Sequence, residues 1–388
     1  MYRYFHFCST PGPITIEIRE SQGRRRFIEA NTASNGTSST MATRVFWRFH
    51  ARLTRPCRVV YAGPHFQAGL SYTQALVRER GLEQCVELVH APTDAQLWEL
   101  APTVDVAVPF MQSFRADFIE RASRMRLIMQ YGVGLEGVDV DSATKHGIAV
   151  SNIPAAGTGN AEATAEHAIF LSLSLLRRAF QDLPQRFQGR ILGGLPIPKS
   201  LFQKNVTVVG YGAVGSKICE YLNAMGAKVT VVRKHWTVEP ERGIHKARSL
   251  GECLPTTDLL ILACPLTTET FHMLNEETLS LLPRQGSLVV NIGRGPLVEH
   301  NAVWRALNSG RVGGYASDVG VGHPVKPSEP WDPDDDLSRH ANVLFTPHVG
   351  GYSDYSYNLM CKAVVDAIDD VRCGRPPAIW VNSKLRST

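Results

Sequence analysis

Near the middle of the chain, "VTVVGYGAVGSKICEYL" places Gly210, Gly212 and Gly215 in G-x-G-x-x-G spacing. Four strand-forming residues precede the motif and an amphipathic helix follows, the context it needs to hold a dinucleotide pyrophosphate. Gly210 permits the tight turn, Gly212 lets phosphate approach the backbone, and Gly215 lets helix and strand pack closely. Ala213 and Val214 fall in the first helical turn, whose positive end faces the phosphates. About 20 residues further on such folds place an acid for the ribose hydroxyls of NAD. Here the second strand runs out into Arg233, Lys234 and His235, in "TVVRKHW". A guanidinium at that tip can grip a 2′-phosphate with two hydrogen bonds, which favours NADP over NAD. A solvated basic turn beside an NAD site is the competing reading.

Three further candidates each close a predicted strand: Arg294 in "VNIGRGPLVEH", Glu329 in "GHPVKPSEPWDPDDDL", and His348 in "NVLFTPHVGG". The carboxyl ends of parallel strands form the ligand crevice of a doubly wound sheet. A guanidinium, a carboxylate and an imidazole placed there would meet at a nicotinamide.

Positioning them requires alternating strands and helices. "CRVVYAG", "VDVAVPF", "RLIMQYG" and "GIAVSN" read as strands of a small parallel α/β unit over 57–153, with a helix at "QALVRERGLEQ". A long helix, "NAEATAEHAIFLSLSLLRRAF", is apolar nearly all round and so is expected to be buried between units. Six runs follow, "NVTVVGYG", "AKVTVVR", "DLLILAC", "SLVVNIG", "GGYASDV" and "NVLFTPH", matching a doubly wound sheet over 154–351. A closing helix near 355–371 is expected to return to the first unit, so that 352–388 completes it.

The chain has 388 residues, 44% of them hydrophobic and 20% charged, the composition of an ordinary globular protein. Of its net charge of +5, residues 1–55 supply nine Arg against three Glu. The remainder holds 32 basic and 33 acidic side chains, so nucleic-acid binding gains no electrostatic support. No apolar run approaches the ~20 residues of a membrane helix. The eight scattered cysteines form no C-x-x-C pair or zinc-like cluster, which points to a reduced compartment and no metal. No acid occurs from Ala30 to Arg78, and Arg44, Arg48 and Arg52 would share one face of a helix in "MATRVFWRFHARLTRP". Residues 1–56 thus read as a transit peptide to mitochondrion or plastid, with an unstructured extension as the alternative. Processing is expected near Arg55 to Arg58.

From residue 57 to 373 the segments "YGVGLEGVD", "AEATAEHAIFLSLSLLRR", "VTVVGYGAVG", "CPLTTETFHML", "VNIGRGPLVEH" and "FTPHVGG" occur in the order of the D-2-hydroxyacid dehydrogenases, which the chain resembles. The resemblance implies an α/β enzyme: a Rossmann dinucleotide-binding domain plus a smaller flavodoxin-like substrate domain, assembled as a homodimer. It implies hydride transfer between NADP or NAD and a small 2-oxo or 2-hydroxy acid, such as glyoxylate or hydroxypyruvate. Arg294 would bind the substrate carboxylate with the backbone N–H groups of Val133 and Gly134. His348 would exchange a proton with the carbonyl oxygen, and Glu329 would pair with it and raise its pKa. Asp318 would hold the nicotinamide carboxamide, and Cys264, Pro265, Thr270 and Gly350 would line the cofactor site. The family has its Glu-Pro five residues after the Asp of "DV"; here that position reads His323-Pro324. A six-residue insertion in "GHPVKPS" restores the match at Glu329; otherwise the carboxylate is lost. That departure keeps a second class open, a dinucleotide-sensing regulatory protein, against which the intact Arg294 and His348 speak. "NIGRG" and "TPH" would have no role in a methyltransferase on the same fold.

Overall fold

A computed structural model describes residues 14–19, 25–30, 47–48, 51–64, 66–180, 197–236, 238–284, 286–320 and 337–386. Residues 1–44 form one compact unit and Val45–Ser387 the other. In the first, β1 (Ile14–Arg19) pairs antiparallel with β2 (Arg25–Ala30), Ile14 opposite Ala30. The alternating β-branched residues of "ITIEIR" favour this hairpin, which composition alone did not suggest. The Ser/Thr-rich stretch 31–40 and Arg44 lie outside the described residues.

The larger unit holds two parallel sheets. The first contains β3 (Cys57–Ala62), β4 (Val86–Ala91), β5 (Val106–Pro109), β6 (Leu127–Gln130) and β7 (Ala149–Asn152), in the order β4-β3-β5-β6-β7. That is the flavodoxin-like order. Between them run α1 (Gln67–Glu79), α2 (Asp94–Leu100), α3 (Ala116–Arg121) and α4 (Val140–Lys145). Residues of β3 alternate between two cores: Val59 and Tyr61 face α1, while Val60 and Ala62 pack with Leu97, Ile119 and Ala143. This period of two is the signature of a strand buried on both faces.

After α5 (Asn160–Arg177) comes the second sheet: β8 (Asn205–Val209), β9 (Lys228–Val232), β10 (Ile244–Ala247), β11 (Leu259–Leu262), β12 (Ser287–Asn291), β13 (Val312–Ser317) and β14 (Val343–Phe345). Its order, β10-β9-β8-β11-β12-β13-β14, is the doubly wound one with a seventh strand added. Its helices are α6 (Ala213–Ala224), α7 (Glu276–Ser280), α8 (His300–Asn308) and α9 (Asp354–Arg372). One face buries Val206, Val208 and Ile261 against α5 and α6; the other buries Val209, Leu260 and Leu262 against α7 and α8. α9 returns to the first sheet, where Met360, Val364 and Ile368 join the core of Val59 and Tyr61.

Two strands escape the pattern of the sequence, β4 and β10. Both are edge strands with solvent-facing residues in their middle, so neither carries an apolar run. The basic stretch before residue 57 differs more. Its described residues, 47–48 and 51–56, are not helical. Trp47 is buried edge-on against Trp380 at 4.7 Å, and Arg48 Nη1 donates to the carbonyls of Ala122 (2.8 Å) and Ser123 (2.9 Å), just past α3. Arg55 pairs through both terminal nitrogens, at 2.6 Å each, with the fully buried Asp105. The arginines here close carbonyls and a buried carboxylate of the body instead of forming a free helical face.

Candidate active site

Every strand of the second sheet except β10 delivers a candidate residue at its carboxyl end. After β8 the chain turns through Gly210 at φ +101, where a Cβ would press on the Ala263 carbonyl oxygen at 2.8 Å. Gly215 lies directly against the Gly210 carbonyl. Gly212 is the opposite case: a Cβ there meets nothing within 4 Å. It is also the N-cap of α6, whose first N–H groups, from Ala213 and Val214, have no acceptor within the helix. This open cradle at a helix N-terminus fits a dinucleotide pyrophosphate.

Beyond β9, Arg233 Nη1 donates to the Tyr211 carbonyl at 3.1 Å, which sets the guanidinium on the glycine turn itself. Exposed Lys234 pairs with Glu269 at 2.8 Å. Past β11, Thr270 Oγ1 donates to the Pro265 carbonyl (2.8 Å) and accepts from Thr267 N–H (2.7 Å), bracing the loop of Cys264 and Pro265. Burial pushes the Cys264 thiol up to about 11, so it stays a neutral, apolar lining group.

Past β12, fully buried Asn291 folds the next turn. Its side chain donates to the Arg294 carbonyl (2.9 Å) and accepts from Gly293 N–H (3.1 Å). Arg294 thereby points across to the first sheet, where its Nε donates to Glu136 Oε1 at 3.0 Å. Glu136 follows Val133 and Gly134 in the loop after β6. Burial pushes its carboxyl up, but the Arg294 charge and the Glu136 backbone N–H reverse this and hold it below the usual range.

Asp318, after β13, and His348, after β14, form one assembly. Asp318 is buried, and its Oδ1 accepts from Thr346 Oγ1 (2.6 Å) and Val349 N–H (2.8 Å), its Oδ2 from Gly350 N–H (2.7 Å). His167 of α5 closes the back, with Nε2 2.9 Å from Thr346 Oγ1 and 3.4 Å from Asp318 Oδ1. Burial alone would raise the Asp318 carboxyl; the hydrogen bonds from His167 and Thr346 outweigh it and hold it low. The carboxamide role implied for Asp318 has Oδ2, with its single donor, to act through.

His348 itself sits at φ +58, a left-handed conformation that costs a non-glycine residue about 1–2 kcal/mol. The turn persists because Thr346 accepts from His348 N–H at 2.9 Å and Asp318 holds both flanks. Among the described residues nothing hydrogen-bonds the ring. Surrounding protein lowers the His348 pKa, Arg294 lowers it further, and Asp318 and Glu136 oppose them. The ring keeps an exposed face, and solvent there moderates the shift. The resemblance implied a raised value through Glu329. Both Glu329 and His323 lie outside the described residues, and the charges that are described leave His348 below its ordinary range.

Arg294, Glu136, Asp318 and His348 therefore act on one another, at the carboxyl ends of β12, β13 and β14 and in the loop after β6. Glu136, Asn291, His167 and Thr346 were given no role from the sequence. Neither His167, one of several polar residues of α5 and next to Glu166, nor Glu136 left a distinct signal there. Among the described residues no group of His, Cys, Asp and Glu could hold a metal ion, and no helix is long and apolar enough to cross a membrane.

A family model described as D-isomer specific 2-hydroxyacid dehydrogenase, NAD binding domain, matches residues 169–350. A glyoxylate reductase of Pyrococcus horikoshii is 30% identical over 291 residues, covering 72% of this chain and 83% of that protein. The chain belongs to the D-isomer-specific 2-hydroxyacid dehydrogenase family. The dehydrogenase is also 30% identical over 278 residues to D-3-phosphoglycerate dehydrogenase 2, chloroplastic, of Arabidopsis thaliana, covering 70% of this chain and 42% of that one. Among solved structures it resembles pyruvate reductase of Chlamydomonas reinhardtii, with a TM-score of 0.70 and 26% identity over 85% of this chain and 99% of that chain. The dehydrogenase is an oxidoreductase of 2-hydroxy acids with an NAD-binding domain.

Proposed function

We propose that the dehydrogenase reduces a small 2-oxo acid, of the size of glyoxylate or hydroxypyruvate, with NADPH. The observation that carries this reading is that Arg294 and His348 act on each other at the carboxyl ends of the sheet that also carries the glycine cradle. The bound nicotinamide supplies the hydride to C2. Arg294 binds the substrate carboxylate, assisted by the N–H groups of Val133 and Gly134, and so orients the carbonyl. His348 gives its proton to the carbonyl oxygen as the hydride arrives, leaving the 2-hydroxy acid and the oxidised cofactor. Asn291 fixes the Arg294 turn, and Asp318, with Thr346 and His167, fixes the His348 turn. For NADPH the support is Arg233: a guanidinium stands on the glycine turn where an acid would hold the ribose of NAD. Steady-state kcat/KM for NADPH and NADH, with glyoxylate and hydroxypyruvate, tests both parts. A preference for NADH would remove the cofactor assignment, and no turnover of either acid would remove the substrate class.

An organelle leader belongs to the same proposal, supported by the acid-free, Arg-rich segment. Its cut is expected ahead of Trp47, not near Arg55 to Arg58, because Trp47 and Arg48 are docked on the folded body. N-terminal sequencing of protein from its native cells decides this, and an intact residue 1 or 2 would contradict a cleaved leader.

A further inference from the structure

Glu136 occupies the place that the proposed reading reserves for the substrate. Its carboxylate accepts from Arg294 Nε at 3.0 Å and from its own backbone N–H. It also lies over Gly134: a Cβ built there would collide with Glu136 Oε2 and would stand 2.5 Å from Arg294 Nη2. A carboxylate of this chain thus fills the space between the Arg294 guanidinium and the 133–136 backbone. The Glu136 side chain is half exposed, so nothing in the core holds it there. Its charge is also felt at His348, which places it beside the reacting end of the site.

We infer that Glu136 selects substrates by charge, an inference that rests on Arg294 being the carboxylate-binding residue. Without substrate, the Glu136 carboxylate holds Arg294. A 2-oxo acid with one carboxylate displaces it. Its charge then stays at the rim of the subsite, tethered through the 133–136 loop, and repels a second anionic group on the substrate. The substrate class that follows is the mono-anionic 2-oxo acids, with a hydroxyl tolerated at C3 because Glu136 can accept from it. Phosphorylated and dicarboxylic 2-oxo acids are disfavoured, since like charges set against one another in a binding site repel.

The test compares glyoxylate with 3-phosphohydroxypyruvate in the wild-type chain and in Glu136→Gln and Glu136→Asp. Glu136→Gln should lower KM for glyoxylate about two- to fivefold, the range of one exposed ion pair. It should also narrow the preference in kcat/KM for glyoxylate over 3-phosphohydroxypyruvate by at least about fivefold, because only the second substrate feels the lost repulsion. Glu136→Asp, shorter by one methylene, should release Arg294 and lower the glyoxylate KM, yet still reject the phosphorylated acid. A glyoxylate KM that stays or rises in Glu136→Gln overturns the inference, as does an unmoved preference. Arg294→Lys separates the two levels: a normal kcat/KM for glyoxylate in that variant would overturn the role of Arg294 itself, whatever the Glu136 variants do.

Discussion

The loops that carry His348 and Arg294 face one another, and they are held by different means. Around His348, a buried carboxylate takes three hydrogen bonds from Thr346, Val349 and Gly350, and a histidine from α5 closes the back. That network holds a left-handed residue in place. On the other side, Asn291 fixes the Arg294 backbone, but the guanidinium meets the first sheet through a half-exposed carboxylate. The proposed proton donor is thus carried on a tightly bonded loop, where a small displacement would cost rate. The proposed anion-binding side chain keeps a partner it can exchange. At the tip of β9, Arg233 donates to the Tyr211 carbonyl and Lys234 pairs with a surface glutamate.

The largest effect should come from the rigid side. His348→Ala should lower kcat for 2-oxo acid reduction by about 10²–10⁴-fold, the usual loss for a general acid, with NADPH affinity little changed. Near-normal kcat would remove His348 from the chemistry. In the wild type the surrounding protein and Arg294 lower the His348 pKa against the pull of Asp318 and Glu136, and solvent at its exposed face moderates the shift, so less of the protonated form needed for reduction is present at neutral pH. Reduction should therefore slow with rising pH, with a midpoint below the ordinary histidine value of about 6.5. A midpoint above it would mean that a carboxylate beyond the described residues dominates the ring.

At the adaptable end, Arg233→Asp should shift the NADPH/NADH ratio of kcat/KM by at least about tenfold, since a hydrogen bond to a charged group contributes about 1.5–3 kcal/mol. The new acid also repels the 2′-phosphate and accepts from ribose hydroxyls. A ratio that does not move would reduce "TVVRKHW" to a solvated turn. Asp318→Asn tests the rigid loop without removing the imidazole. The amide puts a donor against backbone donors, and unfolding in urea should show a loss of about 1–3 kcal/mol. Unchanged stability would mean that the loop does not depend on that carboxylate. Lys234→Ala should have the smallest effect, a few-fold weakening for NADPH, because its present partner is exposed and such pairs contribute about 0–1 kcal/mol.

Much of this was legible in the chain. The strands buried on both faces announced themselves as apolar runs, and the glycine spacing marked the cradle, because a Cβ at Gly210 or Gly215 would strike backbone. The edge strands β4 and β10 did not, since half of each faces water. The arginines before residue 57 misled in a definite way: charge spacing suggested a free amphipathic face, while Arg48 and Arg55 are spent on carbonyls and a buried aspartate far away in sequence.

The sequence by itself determined the alternation of strands and helices, the cofactor cradle, and the identities of Arg294 and His348, because local pattern and residue type carry that information. Tertiary structure alone decided that Glu136 reaches Arg294 from 158 positions away, and that His167 backs Asp318 across α5. Those contacts are made by chain segments distant in sequence, and no spacing along the sequence encodes which carboxylate a guanidinium will find when loops of two sheets meet.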